Sequence, residues 1–411
     1  MIVAYRCAVC DAVVDVRTPF PWRCPNATHA DPHHVLHLVE AGEHGDEIDD
    51  PNPFVRFGPR MAWWAFARAN GMSEDDCIEL TRRVASRFEV TPLRRSPELS
   101  ELTPGEVWVK DETGNVAGSH KARHLTGVLA HLLAAEQLGL LVERPPLAIA
   151  SCGNAAVAAA TLAQIVDWPL DVFVPIWMRD EVGGLLHSLG ARIHQCERRS
   201  DDPPGDPAMH RFREAVADGA VPFSVQGPEN ALCLDSGRTI GWELDAQLVD
   251  AGTAGDWRVI VQVGGGALAA CVGAGLGSHV RLDTVQAEGC APLSEAWSRI
   301  PDFDHPERHW SQVMRPWPDP HSLADGILDD ETYDWIADVS VMVESGGSPI
   351  VAGEADIQRA HELATAAGYH VSPTGSAGLA GLLTIGGQLR SEHRVIVIMS
   401  GVARRREALA R

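Results

Sequence analysis

The chain has 411 residues, with 34 Lys plus Arg against 56 Asp plus Glu, a formal net charge of -22. That balance argues against a nucleic-acid backbone or an anionic membrane surface as the main partner and leaves room for small anionic ligands held by local donors. No apolar run reaches membrane-spanning length, and the N-terminus MIVAYRCAVC lacks the basic flank and apolar core of a signal peptide, so a cytoplasmic protein of roughly two or three domains is expected.

Cysteine usage separates the first residues from the rest. Cys7 and Cys10 form a C-x-x-C knuckle, and Cys24 follows a turn-rich stretch containing Pro19 and Pro21. With an imidazole as fourth ligand (His29, with His33 and His34 as competitors) this set suits a structural tetrahedral zinc ion in a ribbon-like module. The alternative is a metal-free knob. The remaining cysteines, Cys77, Cys152, Cys196, Cys233, Cys271 and Cys290, are scattered singly through apolar segments and read as small core residues, not as a disulfide framework.

From Ala41 to Asp50 the chain is acidic and polar, and Pro51 and Pro53 punctuate it as a linker. Phe54 to Arg87 then shows apolar residues at helical spacing, so one or two amphipathic helices are expected, with Trp63 and Trp64 packed on the main body or on a second subunit. After Phe88 short apolar runs alternate with helix-length segments. LAIAS (147–151), LDVFVP (170–175), RIHQC (192–196), PFSVQ (222–226), WRVIVQV (257–263), LDTVQAEG (282–289) and RVIVIMS (394–400) are the predicted strands. Near-continuous Val/Ile runs separated by helices indicate parallel sheets covered on both faces, with ligands at the carboxyl ends of the strands.

Four strand ends carry chemistry. Val107–Val109 leads through a glycine-bearing loop to Lys121 in the first turn of a helix. The positive end of a helix dipole disfavours a cation there, so this lysine is either solvated or needs a depressed pKa for its work. Ser151-Cys152-Gly153-Asn154 follows LAIAS; its helix-start N–H groups suit a carboxylate, although a plain helix cap explains it equally well. Gly264-Gly265-Gly266-Ala267 follows WRVIVQV. Three glycines cost conformational entropy, and a nest of N–H groups for a phosphate explains them, without the spacing of a dinucleotide fold or the lysine of a P-loop. Ser400-Gly401 closes the last strand, and Thr374-Gly375-Ser376 opens the preceding helix.

Taken in this order, the four motifs from Pro92 to Arg406 resemble the fold-type II pyridoxal-phosphate enzymes, the group containing threonine synthase, threonine and serine dehydratases, serine racemase and cysteine synthase. KDETGNVAGSHKAR (110–123) is similar to that family's K-x-E-x-x-x-P-T-G-S-F-K-x-R block. The resemblance implies that Lys121 binds the cofactor covalently, that Asn154 bonds its phenolic oxygen, that Gly264, Gly265, Gly266 and Ala267 hold its phosphate, and that Ser400 faces the pyridine nitrogen. Ser151, Cys152 and Gly153 would bind the substrate. His120 stands where the family has an aromatic residue and Val116-Ala117 where it has Pro-Thr; the histidine is read as packing in preference to proton transfer. The implied architecture is α/β, two doubly wound parallel-sheet domains: a large cofactor domain over 91–126 and 228–411 and a small one over 127–227. A ribbon over 1–40 and a linker with helices over 41–90 precede them. The family also implies a homodimer.

The implied chemistry is a lyase acting on a small amino-acid substrate by β-elimination, with serine or threonine as the default and a 2-oxo acid plus ammonia as products. Its basis is that a serine at the pyridine nitrogen, unlike a carboxylate, cannot stabilise a full pyridinium charge. A threonine synthase-like conversion of O-phosphohomoserine is the enzymatic alternative; it needs a second anion site, for which Lys110, Arg123 and Arg238 are the candidates. A binding protein with a catalytically retired cofactor fold is the alternative from another class.

Overall fold

In a computed structural model, residues 1–28, 31–42, 45–203, 205–250 and 256–404 are described. The N-terminal module is a three-stranded antiparallel sheet of β1 (Ile2–Cys7), β2 (Val13–Asp15) and β3 (Leu36–Glu40), in the order β2-β1-β3. It lies on the main body: Ala231 N–H donates to Trp22 O at 2.9 Å, and Arg238 holds Glu40 at 2.6 Å.

The helices expected after the linker are built into the core, whereas 45–52 stay exposed or half-buried. Asn52 caps a short helix over Pro53–Arg56, and Ser73 with Asp76 forms a capping box for Glu74–Val84. Trp63 and Trp64, on the helix Ala62–Ala69, are buried, and Phe66 stacks on His131 at 4.0 Å between ring centres. They pack on this chain's own helix Lys121–Gln137, as the main-body alternative anticipated.

Two parallel sheets form the rest. The larger contains β4 (Leu93–Arg95), β5 (Glu106–Asp111), β10 (Asp256–Gln262), β11 (Arg281–Ala287), β12 (Pro349–Ala352) and β13 (His393–Met399), in the order β12-β11-β10-β13-β5-β4. All its pairings are parallel except that of the edge strand β4 with β5. The smaller sheet contains β6 (Leu147–Ala150), β7 (Leu170–Pro175), β8 (Arg192–Cys196) and β9 (Val221–Pro222), in the order β8-β7-β6-β9, all parallel. β13 is buried from Val395 onward because helices cover both faces, which is why its sequence reads as a continuous apolar run.

Three expectations need correction. PFSVQ forms a strand only over Val221–Pro222: Pro222 offers no N–H, and Asn230 takes its carbonyl at 2.7 Å as the chain turns away. The edge strands β4 (LRR) and β12 (PIVA) were not predicted, being short and partly polar. Cys152 is half-buried at a strand end rather than in a core.

Candidate active site and metal centre

The carboxyl ends of β5, β13, β10 and β6 converge. After β5 the loop passes through Ala117 (φ 58°) and Gly118 (φ 68°), two successive left-handed residues, of which alanine is the strained one. Asn115 Oδ1 accepts from Val116 N–H at 2.7 Å, Arg404 Nη2 donates to Ala117 O at 2.5 Å, and Val402 N–H donates to Gly118 O at 2.9 Å. A Cβ on Gly118 would meet Val402 at 2.8 Å, so the close approach as well as the dihedral calls for glycine. The turn delivers Lys121 as the first residue of its helix, with no hydrogen bond from its amine to a described residue. Burial pulls its pKa below the ordinary ammonium range, and Asp329 and Asp334 act in the opposite direction.

Beside it, His120 N–H donates to Ser400 O at 3.0 Å and Ser119 bridges to Gly401. A Cβ on Gly401 would lie 2.8 Å from Asn154 Nδ2, which places the lysine loop, the end of β13 and the start of the helix Asn154–Ile165 in contact. Ser151, Cys152 and Gly153 precede that helix, half-buried, with Ser151 Oγ accepting from Gly153 N–H at 3.3 Å. Asn154 Oδ1 accepts from Arg404 Nε at 2.7 Å, which turns its amide nitrogen the other way. Arg404 has no carboxylate partner among the described residues, and burial lowers its pKa to about 10.

Ser400 is tied to β10 through Gln262. The Gln262 amide nitrogen lies among three carbonyls, 2.9 Å from Gly375 O, 3.2 Å from Ile398 O and 3.4 Å from Thr374 O, and 2.7 Å from Ser400 Oγ. Carbonyls on that side require the nitrogen there, so Ser400 accepts from it and its own O–H is left to donate elsewhere. Thr374 holds Gly326 N–H at 2.9 Å and Ser376 bonds back to Ser372 O, so neither hydroxyl caps the following helix.

Gly264–Gly266 leaves β10 and opens the helix Ala267–Leu276, with Gly266 at φ 105°. A Cβ on Gly264 would lie 2.4 Å from Asp329 Oδ2, one on Gly265 3.0 Å from the Tyr333 ring, and one on Gly266 2.5 Å from Asp338 Oδ2. Burial raises the pKa of Asp329 to about 6 and of Asp334 to about 7. Asp338 rises further, and neither of its oxygens has a hydrogen-bond partner.

His120 is neutral: burial and then the Lys121 charge push its pKa well below the usual value. Its ring meets His124 edge-on at 5.3 Å, and His124 in turn bonds Cys233 O at 2.9 Å.

The three basic residues nominated for a second anion are committed elsewhere. Lys110 donates to Glu243 at 2.7 Å, to Gln247 and to Thr91 O. Arg123 forks onto Glu112 at 2.9 and 3.0 Å and onto Glu243 at 2.6 and 3.0 Å, and also reaches Thr239 and Thr91. All four charged groups are fully buried. Arg238 pairs with Asp235 at 2.5 Å and with Glu40. None is available to a ligand.

In the N-terminal module, Cys7, Cys10, Cys24 and His34 present ligand atoms within 4.8 Å of one another. Cys7 Sγ is 3.4 Å from His34 Nδ1 and Cys10 Sγ is 3.6 Å from Cys24 Sγ, near the edge of about 3.7 Å for tetrahedral thiolates on zinc. Val9 and Asn26 N–H groups donate to the sulfurs of Cys7 and Cys24, and Asp31 meets the other His34 nitrogen at 3.3 Å, which orients the ring. His34 thus stands in the position assigned to His29, which lies outside the described residues. His33 is turned away, stacked on Trp310 at 4.9 Å.

Gln262, Asp329, Asp334 and Arg404 were not foreseen as site residues. Gln262 was findable as the one polar side chain late in an apolar strand, whereas the acidic run 329–334 reads from sequence as a solvated surface.

Comparison with known proteins agrees with this geometry. The family described as pyridoxal-phosphate dependent enzyme matches residues 71–401, beginning after the ribbon. Threonine synthase of Mycobacterium leprae is 27% identical over 326 residues, 76% of this chain and 80% of that protein. L-threonine ammonia-lyase of Thermotoga maritima is 27% identical over 227 residues, 52% of this chain and 50% of that protein. Maize serine racemase superposes with a TM-score of 0.64 at 18% identity, covering 82% of this chain and 94% of that one. A T.th. threonine deaminase gives 0.62 at 22% identity, covering 81% and 99%. At such identities the structural likeness is one of fold. The length of the family match and the shared architecture together establish that the chain belongs to the pyridoxal-phosphate-dependent enzymes of fold type II.

Proposed function

We propose that this protein is a β-eliminating ammonia-lyase acting on a small hydroxy amino acid, serine or threonine, to release a 2-oxo acid and ammonia. The residues fit the family cofactor. Lys121 offers a partly buried amine with no hydrogen-bond partner among the described residues, the glycine loop opens a helix at a place where any Cβ would collide, and Ser400 has a free O–H to donate. When bound, the cofactor supplies the electron sink.

The chain's own groups do the rest. Lys121 would hold the cofactor, and its amine, kept by burial below the ordinary ammonium pKa, would serve as the base for the substrate's α-proton. The Ser151–Asn154 turn, at a helix N-terminus, binds the substrate carboxylate, with Arg404 beside it. Asn154 would hold the cofactor's oxygen side through its amide N–H. Ser400, with an O–H to donate and no charge, would hold the ring nitrogen without favouring a full positive charge on it, which suits elimination over transamination.

The observation that carries this reading over a threonine synthase-like one is the accounting of cations. Every amino acid brings one carboxylate, and Arg404, bonded only to the neutral Asn154 side chain and Ala117 O among the described residues, has its charge unpaired for it. O-Phosphohomoserine brings a second anion, but Lys110, Arg123 and Arg238 are bound to carboxylates, and Asp329 and Asp334 act on Lys121. A substrate phosphate would meet repulsion there.

The test is to incubate the purified, cofactor-loaded protein with L-serine, L-threonine and O-phosphohomoserine and follow 2-oxo acid, ammonia and inorganic phosphate. The first two are expected to give 2-oxo acid and ammonia, both abolished in Lys121→Ala. Phosphate release from the third compound with threonine formation would overturn the proposal. A loaded protein inert towards all three would favour the retired binding protein.

A further inference from the structure

Asp329 crowds the glycine loop that would cradle a phosphate. Its Oδ2 lies 2.4 Å from where a Cβ on Gly264 would stand and 3.7 Å from where one on Gly265 would, and it is the foremost opposite charge acting on Lys121. The segment is anchored there: Asp334 N–H donates to Gly265 O at 2.8 Å, and Gly227 N–H donates to Asp334 Oδ2 at 3.3 Å. Behind it, Asp334 Oδ1 and both oxygens of Asp338 are buried without partners. A carboxyl group therefore already stands beside the glycine cradle, backed by two more.

A doubly charged phosphate cannot join ionised carboxylates at that distance in a partly desolvated cleft without a compensating proton. We propose that Asp329 is a proton-linked gate on the cofactor: phosphate settles in the Gly264–Gly266 cradle as the Asp329 carboxyl takes up a proton, changing from rival anion to hydrogen-bond donor. The proposal rests on the cofactor assignment made above.

Of the groups facing Asp329, Asp334, raised to about 7, can also take up a proton in this range, as can the phosphate itself with its second pKa of about 6, and the comparison with Asp329→Asn separates them from Asp329. Lys121 faces it from its helix, and Asp330, Tyr333 and Asp334 from its own segment. Cys290, from the turn after β11, donates its thiol to Asp329 O at 3.2 Å. Burial raises the Tyr333 hydroxyl well above its usual pKa and the Cys290 thiol to about 12, so both stay protonated. Burial and the neighbouring Asp330 raise the Asp329 pKa to about 6, against the pull of Lys121.

The experiment titrates apoprotein with pyridoxal 5′-phosphate and with pyridoxal from about pH 5.5 to about pH 8.5. Wild type is compared with the isosteric Asp329→Asn, and Asp329→Ser is a second variant should the first fail to fold. The phosphate-dependent part of the affinity, taken as the ratio of the two dissociation constants, is expected to weaken in wild type by about tenfold per pH unit above pH ~6. At pH 8 the asparagine variant should bind pyridoxal phosphate up to about 100-fold more tightly than wild type, two units above the carboxyl pKa. Calorimetry of wild type near neutral pH, in buffers of different ionisation enthalpy, should show about one more proton taken up with pyridoxal phosphate than with pyridoxal. Identical pH slopes in wild type and variants, or no extra proton uptake, would overturn the gate and leave the cofactor assignment standing. If no form binds pyridoxal phosphate at any pH, the cofactor assignment fails and the gate falls with it.

Discussion

Replacing Arg123 by methionine tests what holds the lysine helix in place. The guanidinium is fully buried, two residues after Lys121, and is bonded to Glu112 on the loop after β5 and to Glu243 on the helix Thr239–Asp250. Burial alone would raise the Glu112 pKa, but Arg123 and Lys110 bring it down to about 2 from 4.5. That difference of about 2.5 units corresponds to about 3 kcal/mol of attraction beyond the desolvation cost. Without the guanidinium, two buried carboxylates share only Lys110, and removing one partner of a buried pair costs about 3–5 kcal/mol. We expect Arg123→Met to lose about 4 kcal/mol of stability in urea unfolding followed by circular dichroism. Glu112→Gln in the Arg123→Met background should cost much less than in wild type, because its partner is already gone. The loss should hold from about 0.05 to about 0.5 M salt, since buried pairs are poorly screened. A loss below about 1 kcal/mol, or simple additivity of the two substitutions, would refute the assignment of this cluster as the anchor.

Two further predictions concern protons and metal. Glu112, with its pKa depressed, contributes stability that is present above pH 4.5 and lost as pH falls through about 2, whereas Asp329 and Asp334, raised to about 6 and about 7 from 3.8, act oppositely. Between about pH 4 and 7 these two carboxyls hold protons that the unfolded chain has released, while His120, His124 and His131, kept neutral by burial, act the other way; the stability of Asp334→Asn relative to wild type should therefore rise with pH over that window in thermal unfolding scans, and a difference independent of pH would contradict the assignment. Elemental analysis should find about one zinc per chain, removable by chelator, absent in Cys24→Ser and reduced in His34→Ala, but retained in His33→Ala; retention of full occupancy without His34 would exclude that ligand.

The sequence spoke most clearly where burial and chemistry coincide. β10, β11 and β13 were visible because both faces of each are covered, and the glycine loop and the lysine turn were visible because they sit directly after such strands. Pairing of charges was not visible. Lys110 and Arg123 lie in a recognisable block, yet Glu243 is 133 and 120 residues further on, and nothing local marks it as their partner. For the same reason nothing local marks the 329–334 run as facing Lys121. His34 and His29 were equivalent by spacing; what distinguishes His34 is Asp31 behind its ring and its place just before β3. Short edge strands such as β4 and β12 escape for a related reason: with one flank unpaired they need little apolar sequence.

The last described strand has a bearing on how the enzyme comes into being. β13 lies in the middle of the large sheet, pairing with β10 on one side and β5 on the other, and the residues just beyond it are stitched to the lysine turn through Ser400 O, Gly401 and Val402. During synthesis, then, the two halves of the sheet have no common partner until His393–Met399 has been made. Each half must wait with an open strand edge, a state prone to wrong pairing. A messenger cut short before Arg394 would yield a chain in which Lys121 and Asp329 are present but the strand that stitches the lysine turn in place is not. The order of the strands thus makes synthesis through β13 a precondition for assembling the site, a form of quality control that needs no other protein.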